Sequence, residues 1–561
     1  MQTPARSHLA RTTSRFPRGG LATWAGVTLC TLFAAPVYAQ STPAPTADRK
    51  PAQAGREDAA CATPPKALQP PGAWIVAGGR EHYTPILEST QPNCSRFGVS
   101  LAGHLTAETV SAYPVDRDAN RFAAGTTLRP RLRLGAYYDS GKAFLPLNLH
   151  VEYEHDLYTG ILGDETELAG SYYPSHQSGE QQLRKAFIRA SIGYYLHASV
   201  GWTTSHWGLG LLANDGAHGW EPGSGRFSDP IGGDRTLRAM LATGPHSSAG
   251  VMLAVGADIL DEDLMSGDDV LLEGDTARQG VAALTVGEGK PHGAGVYVAL
   301  RQQEALDGDE TNVVATDLYL RTKHQLGRAE FQAQSEVAYI TGTTDLGPSS
   351  DFEQHDVRQL GAAFRAELDA GQFGSALDVL YASGDADLDN AQQNAFRADP
   401  NYEVGLLLYR QVLAAQSARG SATAADLTLV GVPAEDLDRV PTRGSATNTL
   451  AVFPRLRMRP TAGLEVYAGT VFAFAAQKPA DPFNSRVVGG GSPRNALGAM
   501  SSRMLGTEYD FGVRFRMNMA GVETTLGGEA GVFTPGPAFT KADGVNMGAI
   551  GGARLLLDAR M

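Results

Sequence analysis

Between Leu128 and Tyr138 the chain alternates with a period of two. Leu128, Pro130, Leu132, Leu134, Ala136 and Tyr138 fall on one face, and Thr127, Arg129, Arg131, Arg133, Gly135 and Tyr137 on the other. Successive side chains leave a strand on opposite sides, so this spacing predicts a strand with two incompatible faces. One face needs an apolar medium. The other carries three arginines, which need water or counter-charge. The same device returns in Leu450-Ala-Val-Phe-Pro-Arg455-Leu-Arg457-Met-Arg459. A fold that accepts this chain must put apolar surroundings on one side of its strands and a polar space on the other.

From Phe97 onward, about 18 alternating segments of roughly ten residues follow one another, the last beginning near Met547. Ala186, Ile188, Ala190 and Ile192 oppose Lys185, Phe187, Arg189 and Ser191. After Gly193, Tyr194, Leu196, Ala198, Val200 and Trp202 oppose Tyr195, His197, Ser199 and Gly201, so that apolar face begins and ends on an aromatic ring. The links alternate in length. Long ones lie near 158–181, 206–234, 262–275, 343–355, 386–447 and 477–503, with tight turns such as Asp139-Ser-Gly-Lys142, Leu326-Gly327 and Ala520-Gly521 between them. The link near 307–310 is short where a long one is due. Sorting of this kind is foreign to a soluble sandwich and proper to a transmembrane barrel, with short periplasmic turns and long extracellular loops. The expected fold is therefore an all-β, antiparallel up-and-down transmembrane barrel of about 18 strands over 97–561, closed by the final segment.

The N-terminal region is of another kind. Arg6, Arg11, Arg15 and Arg18 precede the apolar run Leu21–Ala39, which ends in Val37-Tyr38-Ala39, so residues 1–39 read as a secretory signal peptide. Residues 40–96, rich in Pro, Ala and charge at first, read as a flexible periplasmic leader. Cys61 and Cys94 are then the remaining cysteines of an exported chain, able to form one bridge or to stay apart. No later run reaches about 20 apolar residues, so no helix is expected to span a membrane. The formal charge of −13 grows more negative when the four signal-peptide arginines are removed, which argues against nucleic acid as a partner.

If the apolar faces meet lipid, the polar faces line a lumen. Arg129, Arg131, Arg133, Arg189, Arg455, Arg457, Arg459, Arg514 and Arg516 are then its principal basic lining, with Arg301, Arg321, Lys323, Arg365 and Arg554 beside them. Guanidinium groups grip carboxylates and phosphates through paired hydrogen bonds, so a ring of them would admit anions. Glu152, Glu154, Asp317, Glu330, Glu336, Glu367, Asp369, Asp378, Glu465, Asp510, Glu523 and Glu529 share that face. Uniform pairing with these acids would instead cross-link a plugged barrel that uses its long loops for structure or adhesion. The loop Ser205-His206-Trp207-Gly208-Leu-Gly-Leu-Leu212-Ala-Asn214-Asp215-Gly216 could fold into the mouth as a constriction through His206, Trp207, Asn214 and Asp215, or buttress the rim. In the insert 386–447, Val404, Leu407, Leu408, Val412 and Leu413 share helical spacing, consistent with a short amphipathic helix in or over the pore. Asp385, Asp387 and Asp389 resemble the start of a calcium loop but lack its glycine and glutamate, leaving an acidic loop as the better reading. No metal spacing, cofactor fingerprint or nucleophile motif is found, so no catalytic residue, metal or cofactor is assigned. A barrel-embedded hydrolase stays the least supported class.

With about 18 strands, an arginine-rich strand near each end, and the segment Asp399-Pro-Asn-Tyr-Glu-Val404-Gly-Leu-Leu-Leu-Tyr409-Arg, the chain resembles the alginate-export type of porin-like outer-membrane barrel. The resemblance covers roughly 97–561. It implies an outer-membrane location in a Gram-negative envelope, a basic channel for anionic solutes or exopolysaccharide, and periplasmic export machinery as a partner. Only the arginine rows match that pattern in type and placement. The leader and the Ser205–Gly216 loop depart from it and mark a relative.

Overall fold

In the computed structural model the described residues are 87–90, 94–122, 126–144, 146–158, 181–193, 195–216, 220, 223–229, 233, 235–260, 271–272, 274–288, 290–349 and 351–561. The signal peptide and most of the leader, Cys61 included, lie outside them. Cys94 is disulfide-bonded. At the end of the leader, Leu87–Thr90 pairs with the start of the first barrel strand.

Eighteen long strands form the wall. They are β1 (Arg96–Val110), β2 (Thr126–Asp139), β3 (Leu147–Tyr158), β4 (Gln181–Ile192), β5 (Leu196–Thr204) and β6 (Arg235–His246). The chain continues through β7 (Val251–Leu260), β8 (Thr276–Val286), β9 (Gly293–Glu304), β10 (Glu310–Leu326), β11 (Ala329–Thr344) and β12 (His355–Ala370). It finishes with β13 (Phe373–Ala382), β14 (Thr449–Thr461), β15 (Leu464–Ala475), β16 (Met504–Met519), β17 (Val522–Pro535) and β18 (Ile550–Arg560). Each pairs antiparallel with the next. The ring closes where β1 meets β18, in register from Ala102 opposite Arg560 to Val110 opposite Gly552. Met561 extends that seam by exchanging backbone hydrogen bonds with Leu101. The expected beginnings of the first and last strands, Phe97 and Met547, fall within a few residues of these bounds. The last strand differs more in character: it begins at Ile550, and Met547 is buried in the preceding loop instead of facing lipid.

Loops of contrasting length gather at opposite rims. The turns 193–195, 327–328, 371–372, 462–463 and 520–521 share one rim, while the links 205–234, 383–448 and 476–503 leave from the other. The link 305–309 is the short exception on the loop rim.

The two faces of the wall separate as the alternation demands. Leu134, Val200, Leu241, Leu300, Leu456 and Leu555 are exposed on the outside, while their neighbours Arg133, Arg455 and Arg554 are buried inside. An apolar belt of this extent around a whole barrel is unsustainable in water and is what hydrocarbon requires. Inside, the large apolar cluster combines wall residues such as Met240, Tyr297, Phe453 and Tyr467 with loop residues such as Trp207, Leu211, Phe227, Phe396, Tyr402 and Leu408. The core of this protein is thus its own loops, packed into the lumen.

Leu456 stands mid-strand on the outer face and is 69% exposed. Leu456→Arg should weaken folding into lipid vesicles by about 2–4 kcal/mol relative to Leu456→Ala, read from reversible denaturant titration.

Candidate functional site

The lumen is narrowed by two loops that the wall holds by their backbones. The first runs from Ser205 after β5. Trp207 stacks on Tyr297 of β9 at 5.5 Å, and its indole N–H donates to Asp317 of β10 at 3.0 Å. Glu336 of β11 then accepts the backbone N–H groups of Leu209, Leu211 (3.2 Å) and Leu212 (3.3 Å). Further along, Glu465 of β15 accepts those of Gly223 and Gly225 (2.7 Å). The second loop leaves β13 and enters the lumen at Asp399, whose carboxylate accepts the Asn214 N–H at 3.0 Å and so ties the two loops together. Glu508 of β16 accepts three successive N–H groups, from Leu406, Leu407 (2.8 Å) and Leu408 (2.8 Å).

Glycine makes two of these clamps possible. Gly208 and Gly405 have φ of +58° and +73°, and a Cβ at either would stand 2.5 or 2.6 Å from the clamping oxygen of Glu336 or Glu508. The second clamp also explains why the expected helix is displaced. Leu406 to Leu408 give their N–H groups to Glu508, so 404–407 is not helical; a wide π-type turn forms over Leu408–Leu413 and continues into α1 (Ala414–Ala424). The loop after β1 packs over it, with the Tyr113 hydroxyl donating to the Gln411 carbonyl at 3.0 Å.

The arginine rows fall into two groups. Those on β2 meet acids of the adjoining wall and loop. Arg133 makes a two-point contact with Asp156, directly opposite on β3, at 2.5 and 2.7 Å. Arg129 donates to Asp229 of the first loop at 2.7 Å, and Arg131 is half-buried between them. Arg189 faces inward on β4, opposite His150 of β3. Arg514 bonds Glu529 (2.8 Å) and the Ser228 carbonyl (2.7 Å), and Arg516 reaches Glu523 at the turn rim.

The second group lies beside two cavities. Along the inner face of β12, Val357 and Gln359 border a cavity of about 490 Å³ on the loop side, and Glu367 and Asp369 border one of about 110 Å³ on the turn side. Arg365 stands between them on the same face, bonded to Asp378 of β13 at 2.5 Å and set 5.9 Å from the Tyr402 ring. Arg455 and Arg457 of β14 line the smaller cavity, where Arg455 also contacts Asp378 and Arg457 lies 2.6 Å from Asp369. Arg459 shares Asp369 at 3.3 Å, and Arg226 of the first loop meets Glu367 at 3.3 Å. Five guanidiniums thus touch three carboxylates, and Glu330 of β11 lines the smaller cavity with them.

The sequence-derived constriction residues are all brought inside. His206, Trp207, Asn214 and Asp215 are buried, with Arg184 donating to the Asp215 carbonyl and the His206 imidazole 3.7 Å from the Asp215 carboxylate. Asp385, Asp387 and Asp389 form successive side-chain-to-backbone turns, and Asp389 turns to Ser349 and Arg486. Glu508, Asp156, Asp229 and Glu403 carry much of the site and were not among the expected residues. The signal for Glu508 was present in its partner, the run Gly405-Leu-Leu-Leu, whose unpaired amides need an acceptor.

No family model matches the chain, and no curated protein matches it. Among solved structures, it is similar to Pseudomonas aeruginosa OccK9 (OpdG), at 12% identity and TM-score 0.47, covering 82% of this chain and 98% of that one. It is also similar to Acinetobacter baumannii OccAB1, at 10% identity and TM-score 0.45, covering 86% and 99%. A third likeness is to the outer membrane channel DcaP of Acinetobacter baumannii, at 11% identity and TM-score 0.38, covering 83% and 97%. At these scores the function is read from the barrel's own geometry.

Glu508→Ala should strand three buried N–H groups, costing about 3 kcal/mol locally and releasing the second loop. Limited trypsin digestion of the folded barrel should then cleave at Arg410, which is buried in the parent protein.

Proposed function

We propose that this protein is an outer-membrane channel for small anionic solutes. The observation that carries the reading is the arginine-rich inner face of β12 to β14, where Arg365, Arg455, Arg457 and Arg459, together with Arg226 of the first loop, share Glu367, Asp369 and Asp378 beside the two cavities. An anion arriving from the loop side would exchange water for guanidinium contacts, then pass from Arg365 to Arg455 and Arg457. Because each arginine is already shared with an acid, every contact is weak enough to release the solute, which conduction requires. Turns would face the periplasm and loops the exterior, as in barrels inserted from the periplasmic side. No chemical step is assigned.

The resemblance to alginate-export barrels would add a polymeric anion as cargo and periplasmic export machinery as a partner. Cavities of about 490 and 110 Å³ separated by clamped loops suit small solutes better. A polysaccharide chain would need both loops to leave the lumen. The site residues favour the smaller cargo, with Arg455, Arg457 and Arg459 as its inner contacts and the Ser205–Gly216 loop as the constriction. The three carboxylate clamps also favour a second reading, a permanently plugged barrel.

Reversal potentials in planar bilayers under a KCl gradient distinguish these. The expected result is anion preference, with Arg455→Gln/Arg457→Gln lowering the anion-to-cation permeability ratio about twofold or more. Cation preference in the parent protein would refute the arginine path, and absence of current would leave the plugged barrel.

A further inference from the structure

The first loop ends its course across the lumen at Asp229, beside the seam where β1 and β18 close the barrel. This carboxylate is buried, and it is surrounded. His104 Nε2 (2.8 Å) and the Thr106 hydroxyl (3.0 Å) bond one oxygen. Arg129 donates to the other at 2.7 Å, with guanidinium nitrogens of Arg410 and Arg554 at 3.6 and 3.9 Å. Those partners come from β1, β2, β18 and the second loop, and Arg410 also donates to the Asp229 carbonyl at 3.0 Å. Competing acids face the same groups: Asp558 lies 2.7 Å from His104, Glu108 3.5 Å from Arg129, and Glu529 2.5 Å from Arg554. Glu403 contacts Arg410, lies 3.7 Å from Arg554, and accepts the Asp229 N–H.

Pinning a loop needs one such contact, and the neighbouring clamps already supply several. Three guanidiniums, an imidazole and a hydroxyl converging on one carboxylate make a general carboxylate receptor.

We propose that His104, Thr106, Arg129, Arg410 and Arg554 form a binding site for a small free carboxylate, and that Asp229 fills it as an intramolecular stand-in until a permeating carboxylate takes its place. The displacement rests on the anion-channel reading; the receptor rests on the geometry alone. Asp229→Gly empties the site while leaving its partners.

Thermal unfolding of the purified, detergent-solubilised variant, titrated with sodium formate and with sodium chloride at equal ionic strength, reads the receptor directly. Formate should raise the unfolding temperature of Asp229→Gly well beyond chloride, bind it about tenfold or more tighter than the parent protein, and lose this effect when Arg129→Gln is added. Equal action of formate and chloride would overturn the receptor. Should Asp229→Gly fail to fold, Asp229→Asn keeps the shape and removes the charge. Formate should then block chloride current in bilayers at lower concentration than in the parent protein, and unchanged block would overturn the proposal. Formate-specific stabilisation without any current would sink the channel reading and spare the receptor.

Discussion

A few wall carboxylates bound to the backbone of in-folded loops decide what this barrel is. An 18-strand ring without them would enclose a broad aqueous lumen. Glu336, Glu465 and Glu508 instead take up two or three N–H groups each, and the loops they hold fill the interior with Trp207, Phe227, Tyr402 and Leu408. A buried carboxylate is costly unless its lone pairs are met, and a buried loop is costly unless its amides are. Each requirement satisfies the other. The clamp sites also stand at three separate points of the wall, on β11, β15 and β16, so each loop is held where it crosses and not merely at its ends.

The same economy governs the arginines. Facing lipid, a guanidinium would be prohibitive, so the alternation sends most of them inward, and Arg278 and Arg358, on the outer face, sit at the loop-side ends of β8 and β12. There they are divided between two duties. On β2 and β18 they neutralise acids of neighbouring strands and of Asp229, stiffening the seam. On β12 to β14 they outnumber their acids and border open space.

Much of this was legible in the sequence because it depends on periodicity. The strand starts, the sorting of loops and the inward course of Arg129, Arg131 and Arg133 follow from alternation and from loop length, whereas for the Ser205–Gly216 loop the sequence allows both entry into the mouth and a place at the rim. Some ion pairs become legible once register is known, since Arg133 lies opposite Asp156, Arg365 opposite Asp378, and Arg554 opposite Glu529. What sequence spacing did not reveal is contact between segments far apart in the chain. Asp229 sits 100 residues from Arg129 and Glu508 a similar distance from Leu407, and nothing in either neighbourhood names its partner. The helix read from Val404 to Leu413 was shifted for the same reason, because a distant glutamate took the amides that would have begun it.

Single-channel conductance bears most directly on the claim that clamped loops set the width of an otherwise open barrel. Replacing Glu336, Glu465 and Glu508 together by alanine should raise the conductance several-fold over the parent protein in symmetrical KCl, with the barrel still folded by its heat-modifiable mobility. Conductance unchanged by the triple replacement would contradict the account, since the loops would then be held, or the current carried, by something other than these contacts.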